Sequence, residues 1–251
     1  MKRRRILIIT IVGLVLLIGL LAYLASDNEP SYQGHSLSYW ISICRDNDSS
    51  RPNVVAEILQ AEKAIRAIGP NALPHLLKWL DTEPTRIRLT AHDMAVKILP
   101  WNTYRSDLVQ KALEGSANAR ANSAITGFRI LGPIATPAIP RLLQLSRRPR
   151  QSFTSSRAIM SLGEVGQPAL PTLQAIIEDP QHPNREIAIQ TVGYMSGCGV
   201  DITPAIPALQ KCLQDPTHSV VVAAEATLAE LPSSKLRQHD TGRTPTTELS
   251  H

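Results

Sequence analysis

The chain has 251 residues, 43% of them apolar but only 4% aromatic, with alanine, isoleucine and leucine abundant. That is enough apolar material for a sizeable core but the wrong kind for a sheet sandwich, so closely packed helices are expected. The formal charge of +5 would ordinarily suggest nucleic acid, but four of the positive charges are Lys2, Arg3, Arg4 and Arg5, and without them the chain carries only +1.

Those four residues precede ILIITIVGLVLLIGLLAYLA, residues 6–25, a run without a charge. As a helix it would span roughly 30 Å, the thickness of a hydrocarbon core, and reads as a single-pass membrane anchor. A secretory signal is the competing reading. Its apolar region is shorter, about 7–15 residues, and cleavage after Ala25 would put the bulky Tyr23 where a small residue is wanted. The basic flank before the run and the acidic stretch Ser26–Glu29 after it predict a cytoplasmic N-terminus and an exported body, periplasmic or extracellular, with secretion after cleavage as the alternative.

Next comes YQGHSLSYWI, residues 32–41, read as a short amphipathic helix whose Leu37, Trp40 and Ile41 cover the open end of the first repeat. The chain then divides into a basic flank (1–5), the anchor (6–25), a linker with this capping helix (26–53), a repeat domain (54–232) and a tail (233–251). The tail is too poor in apolar residues to offset the entropy of its own ordering.

Within the repeat domain one phrase recurs: TPAIPRLLQL from Thr136, QPALPTLQAI from Gln167 and TPAIPALQKC from Thr203. Its second proline falls at Pro140, Pro171 and Pro207, and a related NALPHLLKWL places Pro74. The gaps are 66, 31 and 36 residues, and 66 reads as two periods of 33. A period of this length fits helix, turn, helix, turn, and marks a helical solenoid.

Gly132, Gly163 and Gly199 each stand eight residues before that proline and are expected to end the first helix of a pair in the left-handed conformation. Proline cannot extend that helix but suits the first turn of a new one, so the second helix starts there. Two positions after the proline is always leucine (Leu76, Leu142, Leu173, Leu209), and five after it come Trp79, Leu145, Ile176 and Cys212, forming one buried face. Positions one and four after it vary: His75 and Lys78, Arg141 and Gln144, Thr172 and Ala175, Ala208 and Lys211. Small residues at Ala64, Gly127 and Ala158 would let neighbouring first helices approach closely.

The pattern is broken in places. The first elbow, IGPNALP, is three residues shorter, and a unit expected around Ala91–Gly115 keeps AVKILPW but lacks the phrase. The helix end in REIAIQTVGYMSGCG falls at either Gly193 or Gly199, and VVVAAEATLAEL reads as a closing half-unit.

The Ala, Gly, Pro and Leu positions over residues 54 to 231 resemble the HEAT-repeat family. The Tyr-x-Gly-x-x-Leu-x-x-Trp element at 32–40 is similar to one in membrane-anchored HEAT-repeat proteins of bacteria. The resemblance implies an all-α fold: a right-handed α-α superhelix of about five to six helix pairs after the transmembrane helix. It also implies a scaffold that binds a protein partner on the concave surface lined by second helices. His75, Lys78, Arg141, Gln144 and Lys211 are then the partner-binding candidates.

Motifs for chemistry are missing from the sequence: no G-x-S-x-G, Walker loop, G-x-G-x-x-G or H-E-x-x-H, and seven histidines without metal-ligand spacing. No enzyme activity, cofactor, metal or small-molecule substrate is expected. Cys44, Cys198 and Cys212 read as free thiols, with a Cys198–Cys212 bridge as the alternative. The arginines Arg147, Arg148, Arg150 and Arg157, following Arg141 with no acid between Gly132 and Glu164, read either as a solvated loop or as a contact for anionic lipid or polymer. Nucleic acid is disfavoured because no aromatic residues interleave them and because the body is expected outside the cytoplasm. Trp79 and Trp101 read as core filling.

Overall fold

The computed structural model describes residues 29–45, 53–83, 97, 107–149 and 152–231. The expected anchor at 6–25, the tail at 233–251, Arg150 and Trp101 lie outside the described residues. Among the described residues, no helix is long and apolar enough to cross a membrane.

A two-residue hairpin opens the fold, strand β1 (Ser31–Tyr32) pairing antiparallel with β2 (His35–Ser36). Gln33 and Gly34 between them both have positive φ, as tight hairpin turns require. Helix α1 (Leu37–Arg45) follows, with Leu37, Trp40 and Ile41 buried as expected. It packs across α2 (Val54–Ile68) and α4 (Asp107–Leu131), and Arg45 donates to Ala119 O and Ser123 Oγ at 2.9 Å each. The hairpin was not expected; Trp40 Nε1 donates to Tyr32 O at 3.2 Å and so ties the hairpin to the adjoining helix.

The remaining helices alternate. First helices are α2, α4, α6 (Phe153–Val165), α8 (Arg185–Gly197) and the closing α10 (His218–Ala229). Second helices are α3 (Leu73–Leu80), α5 (Ile139–Ser146), α7 (Leu170–Glu178) and α9 (Ile206–Cys212). Each first helix packs on the next first helix, and each second helix on the first helix of the following pair. The result is an all-helical stack with one continuous core.

The elbows show why the phrase repeats. Gly69, Gly132, Gly166 and Gly199 all have positive φ, where a side chain would be strained. Tight helical turns come next, at Gly69–Ala72, Gly132–Ala138, Gln167–Ala169 and Thr203–Ala205. The last alanine of each (Ala72, Ala138, Ala169, Ala205) is buried, and the repeated proline then sits in the first turn of the second helix. Leu76, Leu142, Leu173 and Leu209 have no exposed surface at all, and Trp79, Leu145, Ile176 and Cys212 are buried beside them.

One expectation needs correction. Gly163 does not end its helix; it lies inside α6, and Gly166 makes the turn. The third elbow is therefore as short as the first, because Gly69 and Gly166 each stand five residues before their prolines, whereas Gly132 and Gly199 stand eight before theirs. Gly193 likewise lies within α8, which runs to Gly197.

The unit expected around Ala91–Gly115, within the 66-residue gap, lies largely outside the described residues. Helices α3 and α4 are in direct contact: a Cβ at Gly127 would come within 2.6 Å of a Leu76 methyl, and Arg66 Nε donates to Ile130 O at 3.1 Å. The residues from 107 to 115, expected in an intervening unit, belong to α4. Four helix pairs and the closing α10 are seen among the described residues, and the further unit expected before α4 lies largely outside them.

Gly163 has a packing role instead. A Cβ there would meet the Thr191 Cγ2 of α8 at 2.4 Å, closer than atoms can pack. Gly163→Ala is expected to lower the unfolding free energy by about 1–2 kcal/mol, overpacking outweighing the helix propensity gained. The double variant Gly163→Ala/Thr191→Ser, which removes the opposing methyl but keeps the hydroxyl bonded to Ile187 O, should recover wild-type stability or exceed it in urea unfolding. A tolerated single variant would contradict the packing argument.

Candidate interaction surfaces

The edge formed by the second helices holds most of the residues singled out from the sequence. Lys78, Arg141, Gln144 and Lys211 are exposed and His75 is half-buried. Lys78 and Arg141 come together with Pro74, Leu77 and Asp81 around an open cleft of about 430 Å³ between the first two pairs. Lys211 stands on α9, outside that cleft. At the matching position of the last pair Ala208 is buried, so the variable face narrows there.

The arginine cluster disperses. Arg141 donates to Asp81 Oδ2 at 3.2 Å and also to Gln144, and Arg148 pairs with the other oxygen of Asp81. Arg147 points the other way, to Asp179 at 3.5 Å. Arg157 is buried: its guanidinium donates to Thr82 O at 3.2 Å and lies 5.6 Å from the centre of the Phe153 ring. An exposed anionic contact at Arg157 is therefore corrected to a structural tie between α6 and the end of α3.

Sequence reasoning missed the acids. Asp81 and Asp179 stand just past α3 and α7, Asp215 three residues past α9, and Arg147 with Arg148 just past α5. The acids are absent from the arginine segment itself but are supplied by the pairs on either side. Aligning the units past the second helix would have revealed this. The exposed pairs are worth at most about 1 kcal/mol each. Arg185 and Asp215, 2.6 Å apart and each only 10% exposed, form a tighter tie, with Arg185 Nε also donating to Ile177 O. Burial works against the charged form of Asp215, but bonds from Thr217 and Arg185 outweigh it and hold its carboxyl below the usual range.

The ends of the second helices are capped from other pairs in the same way. A helix leaves its last carbonyls without internal partners. Thr154 Oγ1 donates to Leu80 O at 3.0 Å, and Asn184 Nδ2 to Ser146 O and Arg148 O at 2.9 and 3.0 Å. Glu83 in turn accepts from the backbone N–H groups of Phe153 and Thr154 at the start of α6. Burial pushes the Glu83 carboxyl upward, yet these bonds and that from Ser152 win and lower it.

One pair has the outline of a nucleophile and base: Ser146 Oγ lies 3.2 Å from His182 Nε2. Its hydrogen bonding runs the wrong way for that chemistry. His182 Nδ1 accepts from the Asn184 N–H, so the neutral ring carries its proton on Nε2 and donates to Ser146, which donates to Leu143 O. Both residues are buried, and neither borders the cleft at Lys78 and Arg141. All three cysteines are free, Cys198 being exposed and Cys212 buried. Burial, followed by Glu62, pushes the Cys44 thiol up to about 11, and burial raises Cys212 too, so neither is a thiolate at neutral pH. Among the described residues no cluster of His, Cys, Asp and Glu could hold a metal.

A second surface lies on the first-helix side, where sequence reasoning placed no candidate. A cleft of about 610 Å³ runs between α8 and α10, and another of about 420 Å³ between α6 and α8; Gln190 and Tyr194 border both. Tyr194 is half exposed, and its hydroxyl donates to Glu164 Oε1 at 3.4 Å. Hydrogen bonding with Cys198, then burial and Glu164, push the phenol up to about 12.

Residues 139–229, from α5 through α10, match the family model of HEAT repeats. No curated protein matches the chain. The helix pairs α2–α3 and α4–α5 extend the same elbow geometry back to Val54, ahead of the matched span.

The buried His182 makes stability depend on pH. Burial, then Arg147, lower its imidazole pKa, with Asp179 opposing. The unfolded chain therefore takes up the proton first as pH falls. The stabilisation is complete above the ordinary imidazole range and is lost progressively below it. Urea unfolding at pH 7.5 and pH 5 should show a loss of stability on acidification that is smaller in His182→Gln; an equal loss in the variant would clear His182 of the effect.

Proposed function

We propose that this chain, whose residues 139–229 are HEAT repeats, is a membrane-anchored scaffold that binds a protein partner along the edge of its second helices. HEAT repeats generally serve as protein-interaction scaffolds, which supports the coarse reading. The charge-free run at 6–25 behind a basic flank supports an anchor with the N-terminus in the cytoplasm and the repeats exported. In this reading the pairs wind into a right-handed superhelix, and the second helices line its concave side.

One observation carries the choice of surface. Lys78 and Arg141 border a cleft between adjacent pairs, while the leucines and alanines that repeat faithfully are all buried. At Lys78 and Arg141, positions that vary from unit to unit are thus ones a partner can touch. The alternative, a tether to anionic lipid or polymer through the arginines, draws less support from the geometry. Arg141, Arg147 and Arg148 are paired with acids and Arg157 is buried.

The test is cross-linking of the tagged full-length chain in its native membrane, then recovery of the partner. Arg141→Glu/Lys211→Glu should lower recovery tenfold or more, about 1.4 kcal/mol, while the chain stays folded, since both side chains are exposed and loss of the Arg141–Asp81 pair costs at most about 1 kcal/mol. Undiminished recovery would remove these residues from the site. Retention of the chain on phosphatidylglycerol vesicles, lost at high salt, would favour the lipid tether instead.

A further inference from the structure

The N-terminal end of the array differs from the rest in what it exposes. Among the described residues from Glu29 to Ala72, across the hairpin, α1, α2 and the first elbow, no exposed side chain is acidic. Farther on, Glu83, Glu178, Asp201, Glu225 and Glu230 are all exposed. The acids of the N-terminal end are half-buried: Glu29 accepts from the Ser38 N–H at 3.0 Å, and Glu62 pairs with Arg66 at 3.4 Å.

Apolar exposure is just as uneven. Val55 and Leu59, 68% and 62% exposed, are the most open large apolar side chains among the described residues. They stand four apart on α2, one turn after the other, and Lys63 continues the same stripe a turn later. The core takes nothing from this stripe, because α2 buries Ala61, Ala64, Ile65 and Ile68 on its other side. Another exposed apolar group, Tyr39 at 44%, lies on α1, which packs across α2; its ring stacks on His35, with ring centres 4.1 Å apart.

The route of the chain decides what covers such a face. Only three residues separate Ala25, the end of the charge-free run, from Glu29, where the described fold begins. An extended chain advances about 3.5 Å per residue, so the steps from Ala25 to Glu29 reach at most about 14 Å. With the run in a bilayer, the hairpin, α1 and the α2 packed against it are the elements nearest the headgroups. A stripe of valine and leucine ending in lysine, with a tyrosine on the adjoining helix and no exposed acid, suits that interface.

We propose that the N-terminal end of the array lies on the membrane surface, with Val55, Leu59 and Tyr39 entering the headgroup layer. The inference rests on the membrane-anchor reading above. A solenoid seated in this way is fixed in orientation, whereas one held by its anchor alone is free to swing.

The test is photocross-linking to lipid. Tyr39→p-benzoylphenylalanine and Leu59→p-benzoylphenylalanine, made in the full-length chain, are reconstituted in vesicles of phosphatidylcholine and phosphatidylglycerol and irradiated. The same replacement at Met160 and at Tyr194, 47% and 50% exposed on α6 and α8, supplies the reference. Lipid adducts, read by mass, should be at least tenfold more abundant from the probes at Tyr39 and Leu59 than from either reference. Yields no higher than the references would overturn the proposal. So would adducts of the Leu59 probe with a second copy or with another part of the same chain. Flotation separates the two readings: a chain that fails to float with the vesicles defeats the anchor and this inference with it, whereas a chain that floats with silent probes defeats this inference alone.

Discussion

Everything in this fold depends on how sharply the chain can turn between two helices without leaving space at the corner. A glycine in the left-handed region stops one helix, a short, tight helical turn redirects the chain, and an alanine small enough to vanish into the stack completes it. The turns of the first three pairs touch one another directly. A side chain larger than methyl at Ala72, Ala138, Ala169 or Ala205 would separate consecutive pairs, and a separated pair cannot bury its leucines. The stack is a sum of such neighbour contacts, so its regularity is set at the corners and not along the helices.

That arrangement also explains where charge accumulates. The free carbonyls at the ends of the second helices are met by Thr154, Arg157, Asn184 and Arg185, each contributed by a later pair. The loops at that edge are thereby held in place, and the arginines and aspartates they carry become fixed features of the surface. On the first-helix side Arg66 reaches Ile130 O and Thr227 reaches Ile189 O. There the small residues that let helices approach leave shallow troughs with acidic borders.

The architecture is legible in the sequence because the elbow leaves a trace that proline, alanine and leucine cannot hide. The errors have the same origin. Gly163 and Gly166 lie three apart, and only conformation tells which one bends; the spacing of eight picks the helical one. The counter-charges at Asp81 and Asp179 are invisible to a scan along the arginine segment, since proximity across a stack is proximity between units and not between neighbours in sequence. The first-helix clefts escape notice because their signal is missing bulk: Gly193 reads from the sequence only as a possible helix end, and nothing there marks the gap between α8 and α10. The tautomer of His182 is set by a backbone N–H two residues away, which no motif encodes.

The direct contact of α3 with α4, despite the stretch of chain between them, bears on how the molecule assembles. From α4 onward each pair is joined to the next by a short connection, so its contacts are nearly local and cost little closure entropy. The N-terminal pair must instead find its place across a long intervening segment. Its contact with α4 therefore carries a larger closure entropy than any later junction among the described residues, and its hold on the stack rests on its own packing and on α1 laid across it.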